Sequence, residues 1–167
     1  MEDFQAGAAE MLKTFIIEDN GHYEAAVKVL KELADEFVSI CQGSTLSDGE
    51  ARWPEVLSPR LTELTPLIAA AVKVKAGIVS RDQFEHGERR KLNLGHTIGH
   101  GIESSEGMSE LYHGECVALG MLPMCGEEIR PRVIEVLKKC NLYRELEYDW
   151  DKITDAAFHD KKADGDK

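Results

Sequence analysis

Apolar residues recur at spacings of three and four along most of this chain, the pattern of helices that bury one side. Ala8, Met11, Leu12, Phe15 and Ile16 form a first stripe, and Ala26, Leu30, Leu33, Phe37 and Ile40 form a second after an Asn20-Gly21 turn. The stretch 43–59, which contains Gly, Ser, Asp and Pro, reads as a loop. Ser58-Pro59 and Thr65-Pro66 each set a capping hydroxyl before a proline, the composition of a first helical turn. A helix is therefore expected from about Pro66 towards Ile78, with others at 91–103, 114–121, 131–140 and 151–158. Only residues 75–79 read as a short extended piece. The patterning predicts an all-α protein, a multi-helix bundle, with residues 1–167 as a single domain.

Composition narrows the function. A formal charge of −11 repels phosphate backbones and anionic lipid headgroups, which argues against nucleic acid and membrane as partners. No apolar run approaches the ~20 residues needed to cross a bilayer, and no export leader opens the chain. Cys41, Cys116, Cys125 and Cys140 form no CxxC pair, so reduced thiols and a cytoplasmic location are expected. Only the middle third is net positive. There Lys73, Lys75, Arg81, Arg89, Arg90 and Lys91 are set against Asp82, Glu85 and Glu88, either a funnel for a small anion or an ordinary solvated helix face.

Chemistry concentrates in residues 89–103. If that stretch is one helix, Arg89, Asn93, His96 and His100 share a face. Gly95, Gly99 and Gly101 fall in the same stretch, although glycine inside a helix costs up to ~1 kcal/mol relative to alanine, so something packs very close. His96 and His100 have the i, i+4 spacing of two metal-binding imidazoles, without the Glu of an HExxH site. His113 follows in Tyr112-His113-Gly114-Glu115, just before an apolar helical run. Glu10 and Lys13 are either a surface ion pair or part of a second, polar interior opposite the first apolar stripe.

These residues resemble the C-terminal domain of 3-dehydroquinate synthase, within the sugar-phosphate cyclase family. The matching pieces are Gly7-Ala8-Ala9-Glu10-Met11-Leu12-Lys13, Lys75-Ala76-Gly77-Ile78-Val79 and Glu85-His86-Gly87-Glu88-Arg89. They continue with Leu92-Asn93-Leu94-Gly95-His96-Thr97-Ile98-Gly99-His100, His113-Gly114-Glu115-Cys116-Val117-Ala118-Leu119-Gly120-Met121 and Asp160-Lys161-Lys162. The resemblance implies a carbon–oxygen lyase of the shikimate pathway, in aromatic amino-acid biosynthesis, with zinc (or cobalt) and NAD as cofactors. Its substrate would be a small anionic sugar-acid phosphate, 3-deoxy-arabino-heptulosonate 7-phosphate, converted to 3-dehydroquinate and phosphate.

By motif position the resemblance makes Glu10, His96 and His113 the metal ligands and His100 the proton-transfer group. It sets Lys75 and Arg89 on the substrate carboxylate, Asn93 and Lys161 or Lys162 near the phosphate, and Glu85 and Lys13 along the same pocket. The residue types suit the task, since a planar guanidinium matches a carboxylate bidentately and a two-His, one-carboxylate metal site stabilises an alkoxide. The resemblance further implies that the family's NAD-binding α/β domain is absent, that the isolated chain is inactive, and that a homodimer is possible. Two alternatives stand beside it: a helical metal-dependent phosphohydrolase using His159-Asp160, and a non-catalytic helical interaction module.

Overall fold

Among the described residues six α-helices form, with apolar stripes turned into a shared core. A computed structural model describes residues 2–42, 53–104, 111–140 and 142–143, and the statements below concern these residues. Helix α1 (Glu2–Ile17) turns Ala8, Ala9, Met11, Leu12 and Phe15 inward, all nearly or wholly buried. Asp19 ends the following turn: its Oδ1 accepts the backbone N–H groups of Gly21, His22 and Tyr23 at 2.9, 3.0 and 3.1 Å. Those donors would otherwise be unsatisfied at the start of α2 (Tyr23–Gln42). Helix α2 adds Ala26, Val29, Leu30 and Leu33 to the core.

Helix α3 (Trp53–Arg81) begins earlier than the proline signals suggest and contains both Pro59 and Pro66. Each proline removes a helical hydrogen bond, at a cost of ~3 kcal/mol in a helix interior. Here the two are seven residues apart, nearly two full turns, and both are exposed. Leu64, Leu67, Val74 and Ile78 are buried along the helix. Residues 75–79 are therefore helical, not extended, and the described residues contain no strand. The Arg60 guanidinium binds Glu32 and Glu36 of α2 together with Glu63 of its own helix, joining the two.

The expected helix 91–103 is two pieces. A 3-10 segment, Glu88–Asn93, ends in a turn at Leu94-Gly95, where Gly95 has φ +79°. Helix α4 (His96–Ser104) starts only after that turn. Arg89 and Asn93 consequently do not share a helical face with His96 and His100. Helices α5 (His113–Met121) and α6 (Arg130–Lys139) lie within a residue of their expected bounds. Every α5 residue from Gly114 onward is buried. The expected helix 151–158, Lys161, Lys162 and His159-Asp160 lie outside the described residues.

The crossing of α4 and α5 has almost no side chain in it. A Cβ on Gly99 would stand 3.0 Å from the Cys116 carbonyl oxygen, and one on Gly120 would stand 2.7 Å from the Gly99 nitrogen and collide with the Gly95 carbonyl. Glycine at these positions lets the two backbones touch, and that contact brings the α4 histidines beside the first residue of α5. Among the described residues no helix is long and apolar enough to cross a membrane.

Candidate metal and substrate site

His96 opens α4, His100 lies one turn along, and His113 opens α5. Their ring centroids form a nearly equilateral triangle, with His96–His100, His96–His113 and His100–His113 separations of 5.8, 5.7 and 5.9 Å. Three imidazoles bound tetrahedrally at Zn–N distances of ~2.1 Å have ring centres roughly 5 Å apart, only slightly closer than here. Imidazole and carboxylate are donor types that suit a divalent ion such as zinc.

Helix α1 brings carboxylate to the same place. Glu10 Oε1 lies 3.5 Å from His96 Nε2 and accepts a hydrogen bond from Lys13 Nζ at 2.9 Å, while Glu10 Oε2 accepts one from Lys75 Nζ at 2.9 Å. Burial opposes the Glu10 charge, but the hydrogen bonds and charges of the two lysines outweigh it and hold the carboxyl below its ordinary range. Lys13 is only 1% exposed, so the Glu10–Lys13 pair belongs to a polar interior and is not a surface pair. Burial also pushes the Lys13 ammonium down, against the pull of Glu10. Burial, followed by the Lys13 charge, holds His96 below its ordinary value. A neutral imidazole at pH 7, as metal ligation requires, follows from that shift.

Glu103 completes the cluster. Its Oε2 lies 3.4 Å from His113 Nδ1, and donor atoms of His100, Glu103 and His113 all lie within 4.8 Å of one another. Among the described residues this is the one group of three whose ligand atoms lie that close; Glu10 and His96 meet beside it at 3.5 Å. The sequence reading gave Glu103 no role, although His100 and Glu103 at i, i+3 on one helix put both on one side.

The remaining candidates lie on the segment between α3 and α4. Asn93 Nδ2 donates to Glu85 Oε1 at 2.7 Å, and Arg89 Nη1 donates to the Gln83 carbonyl at 2.7 Å. Glu85 and Asn93 line a cleft of about 1050 Å³ with Arg90, Lys91 and Thr97. Glu10 and Lys75 line a separate pocket of about 400 Å³, otherwise mostly apolar. The structure thus gathers Glu10, Lys13, Lys75 and the three histidines, and groups Glu85 with Asn93, without bringing all the named residues into one cavity.

Comparison with known proteins gives the same family along the whole length. A family model described as 3-dehydroquinate synthase C-terminal matches residues 7–163. A 3-dehydroquinate synthase from Synechocystis sp. is 32% identical over 176 residues, covering 99% of this chain and 43% of the relative. One from Acidithiobacillus ferrooxidans is 33% identical over 88% of this chain and 32% of its own length. Another, from Acetivibrio thermocellus, is 44% identical over 56% of this chain and 29% of its own length. The chain spans less than half the length of these relatives.

Proposed function

This chain belongs to the 3-dehydroquinate synthase C-terminal family, and from that premise we propose that residues 1–167 act as one helical domain, the metal- and substrate-binding part of a 3-dehydroquinate synthase. The reaction is conversion of 3-deoxy-arabino-heptulosonate 7-phosphate to 3-dehydroquinate with loss of phosphate. The observation that carries the reading is the convergence of Glu10, His96, His100 and His113 from three helices, with Glu10 bound by Lys13 and Lys75.

In this reading Glu10, His96 and His113 hold the metal, with zinc favoured by imidazole and carboxylate donors. When bound, the ion would supply a Lewis acid that stabilises charge on substrate oxygen, and NAD would supply the hydride acceptor. Lys13 keeps Glu10 ionised and in place. Lys75 and Arg89 hold the substrate carboxylate, which requires Lys75 to exchange its present bond to Glu10 for one to substrate. Asn93, with Lys161 or Lys162, orients the phosphate, and Glu85 holds Asn93. His100, on the same side of α4 as His96, exchanges the proton of the reacting hydroxyl.

A second ligand set is favoured by one observation, the mutual proximity of His100, Glu103 and His113. Metal analysis of single variants separates the two. Ala at Glu10, His96 or His113 empties the site in the first reading and His100→Ala leaves it loaded; loss of metal from His100→Ala with retention in His96→Ala selects the second. Formation of dehydroquinate by the 167-residue chain with added zinc and NAD would overturn the assignment of hydride chemistry to groups outside it. Metal binding combined with hydrolysis of simple phosphate esters would instead select a phosphohydrolase.

A further inference from the structure

The segment between α3 and α4 is shaped by one carboxylate. Asp82 follows the last residue of α3. Its Oδ1 accepts the backbone N–H of His86 at 2.9 Å, and its Oδ2 accepts those of Gly87 and Arg89 at 2.8 and 3.0 Å. Three amides converging on one carboxylate make a closed ring of backbone around it, the concave N–H arrangement that binds anions elsewhere in proteins. Inside that ring Glu85 has φ +58°, a left-handed conformation that a non-glycine residue adopts only under strain. The carbonyl of Glu85 accepts Arg90 Nε at 3.2 Å, and its side chain receives Asn93. Outside the ring, Arg81 grips both oxygens of Glu88 at 2.9 Å and reaches Glu18 of α1 at 2.8 Å.

We propose that Asp82 is a positioning residue for substrate: by binding the amides of His86, Gly87 and Arg89 it fixes the backbone from which Arg89 and Asn93 reach the substrate anion. The inference rests on the reading above that Arg89 and Asn93 contact substrate. Asp82 itself touches no substrate in this scheme. The same three amides lower the Asp82 carboxyl to about 2, so it is fully ionised across the working range and the ring stays closed.

Two acceptor oxygens are essential to the device. Asn at position 82 keeps one acceptor and replaces the other with a donor, so it loses either the His86 bond or the pair to Gly87 and Arg89. Ala loses all three. Two measurements on the full chain test the proposal. Amide hydrogen exchange should accelerate at least tenfold at His86, Gly87 and Arg89 in Asp82→Ala, and partly in Asp82→Asn, with α4 and α5 unchanged and zinc content retained as evidence of folding. Calorimetric titration of the zinc-loaded chain with 3-deoxy-arabino-heptulosonate 7-phosphate should show roughly tenfold weaker binding for Asp82→Ala. That loss should vanish when it is introduced into a chain carrying both Arg89→Ala and Asn93→Ala, because Asp82 acts through those two contacts.

Unchanged exchange in both variants overturns the proposal. So does accelerated exchange with undiminished binding, or a loss of binding that persists in the chain carrying both Arg89→Ala and Asn93→Ala. If the unsubstituted chain fails to bind the sugar-acid phosphate while Asp82→Ala still accelerates exchange, the substrate reading has failed and the substrate role of Asp82 with it. In that case Asp82 remains only the organiser of its loop.

Discussion

The α4–α5 crossing and the segment between α3 and α4 both place residues of the candidate site, and they do so by opposite means. At the crossing, Gly95, Gly99 and Gly120 remove side chains so that peptide groups of two helices meet, and His96 and His113 are positioned by contact between backbones. In the Asp82 segment nothing is closely packed: Phe84 is 79% exposed, Glu85, His86 and Gly87 are exposed, and shape comes from hydrogen bonds to one carboxylate. A seam defined by sterics fails when volume is added. A loop defined by a charge fails when the charge is removed, and acid alone can do that.

The largest effect should come from adding one methyl group to the seam. Gly120→Ala drives a Cβ into the Gly95 carbonyl, and overpacking of this kind costs ~3 kcal/mol where backbone cannot yield. Denaturant unfolding should show that loss together with weakened zinc binding, whereas Asp82→Ala should leave the unfolding midpoint far closer to the parent. If Gly120→Ala is as stable as the parent, the seam is softer than its geometry implies.

Metal removal comes next. Ion bound only by the folded chain, at 100 times its dissociation constant, stabilises by about 2.7 kcal/mol, so a chelator should lower stability by that order and expose α1, α4 and α5 together. Exposure confined to α4 and α5 would separate Glu10 from the ligand set.

A smaller effect is expected from Arg89→Lys, which keeps the charge and loses the planar fork. Roughly tenfold weaker binding of the sugar-acid phosphate, at unchanged zinc content, is the expected result. Equal affinity would mean that Arg89 acts only through its bond to the Gln83 carbonyl.

The mildest perturbation is pH. A carboxyl depressed to about 2 from an ordinary 3.8 contributes its stabilisation in full above the ordinary value and loses it as pH falls through the depressed one. The amides of His86, Gly87 and Arg89 and the His86 ring face it, and the carboxylate that interacts with it is Glu88, itself held by Arg81. Amide shifts of His86, Gly87 and Arg89 should move together near pH 2 while those of the seam glycines stay still. A midpoint near 4 for those amides would show that the ring is open in solution.

The same contrast explains what could be read from the sequence. Helices α1, α2, α5 and α6 announce themselves because a buried stripe such as Ala26, Leu30 and Leu33 repeats at helical spacing. The histidines that converge in the structure also stood out in sequence, though spacing favoured the pair His96–His100 and could not show His113 arriving equally close from another helix. Pro59 and Pro66 misled because a proline at a first turn and a proline on an exposed face look alike until burial is known. The break at Leu94-Gly95 leaves no mark in the sequence, because Gly95, Gly99 and Gly101 look alike there and among the three only Gly95 has a positive φ. Asp82 gave no sign of its role, since a carboxylate that binds backbone amides leaves no mark on its neighbours' side chains. Glu103 is inconspicuous for a simpler reason: its partner His113 is ten residues away.

The bare seam between α4 and α5 has a mechanical consequence. Helices separated by leucines or methionines rest on a cushion, since rotamers can shift and axes can slide to absorb a change elsewhere. Peptide planes in direct contact are a hard stop. The spacing between His96 and His113 is therefore set by a rigid gauge, which holds its setting when the rest of the core breathes and which evolution can alter only by changing the backbone of both helices at once.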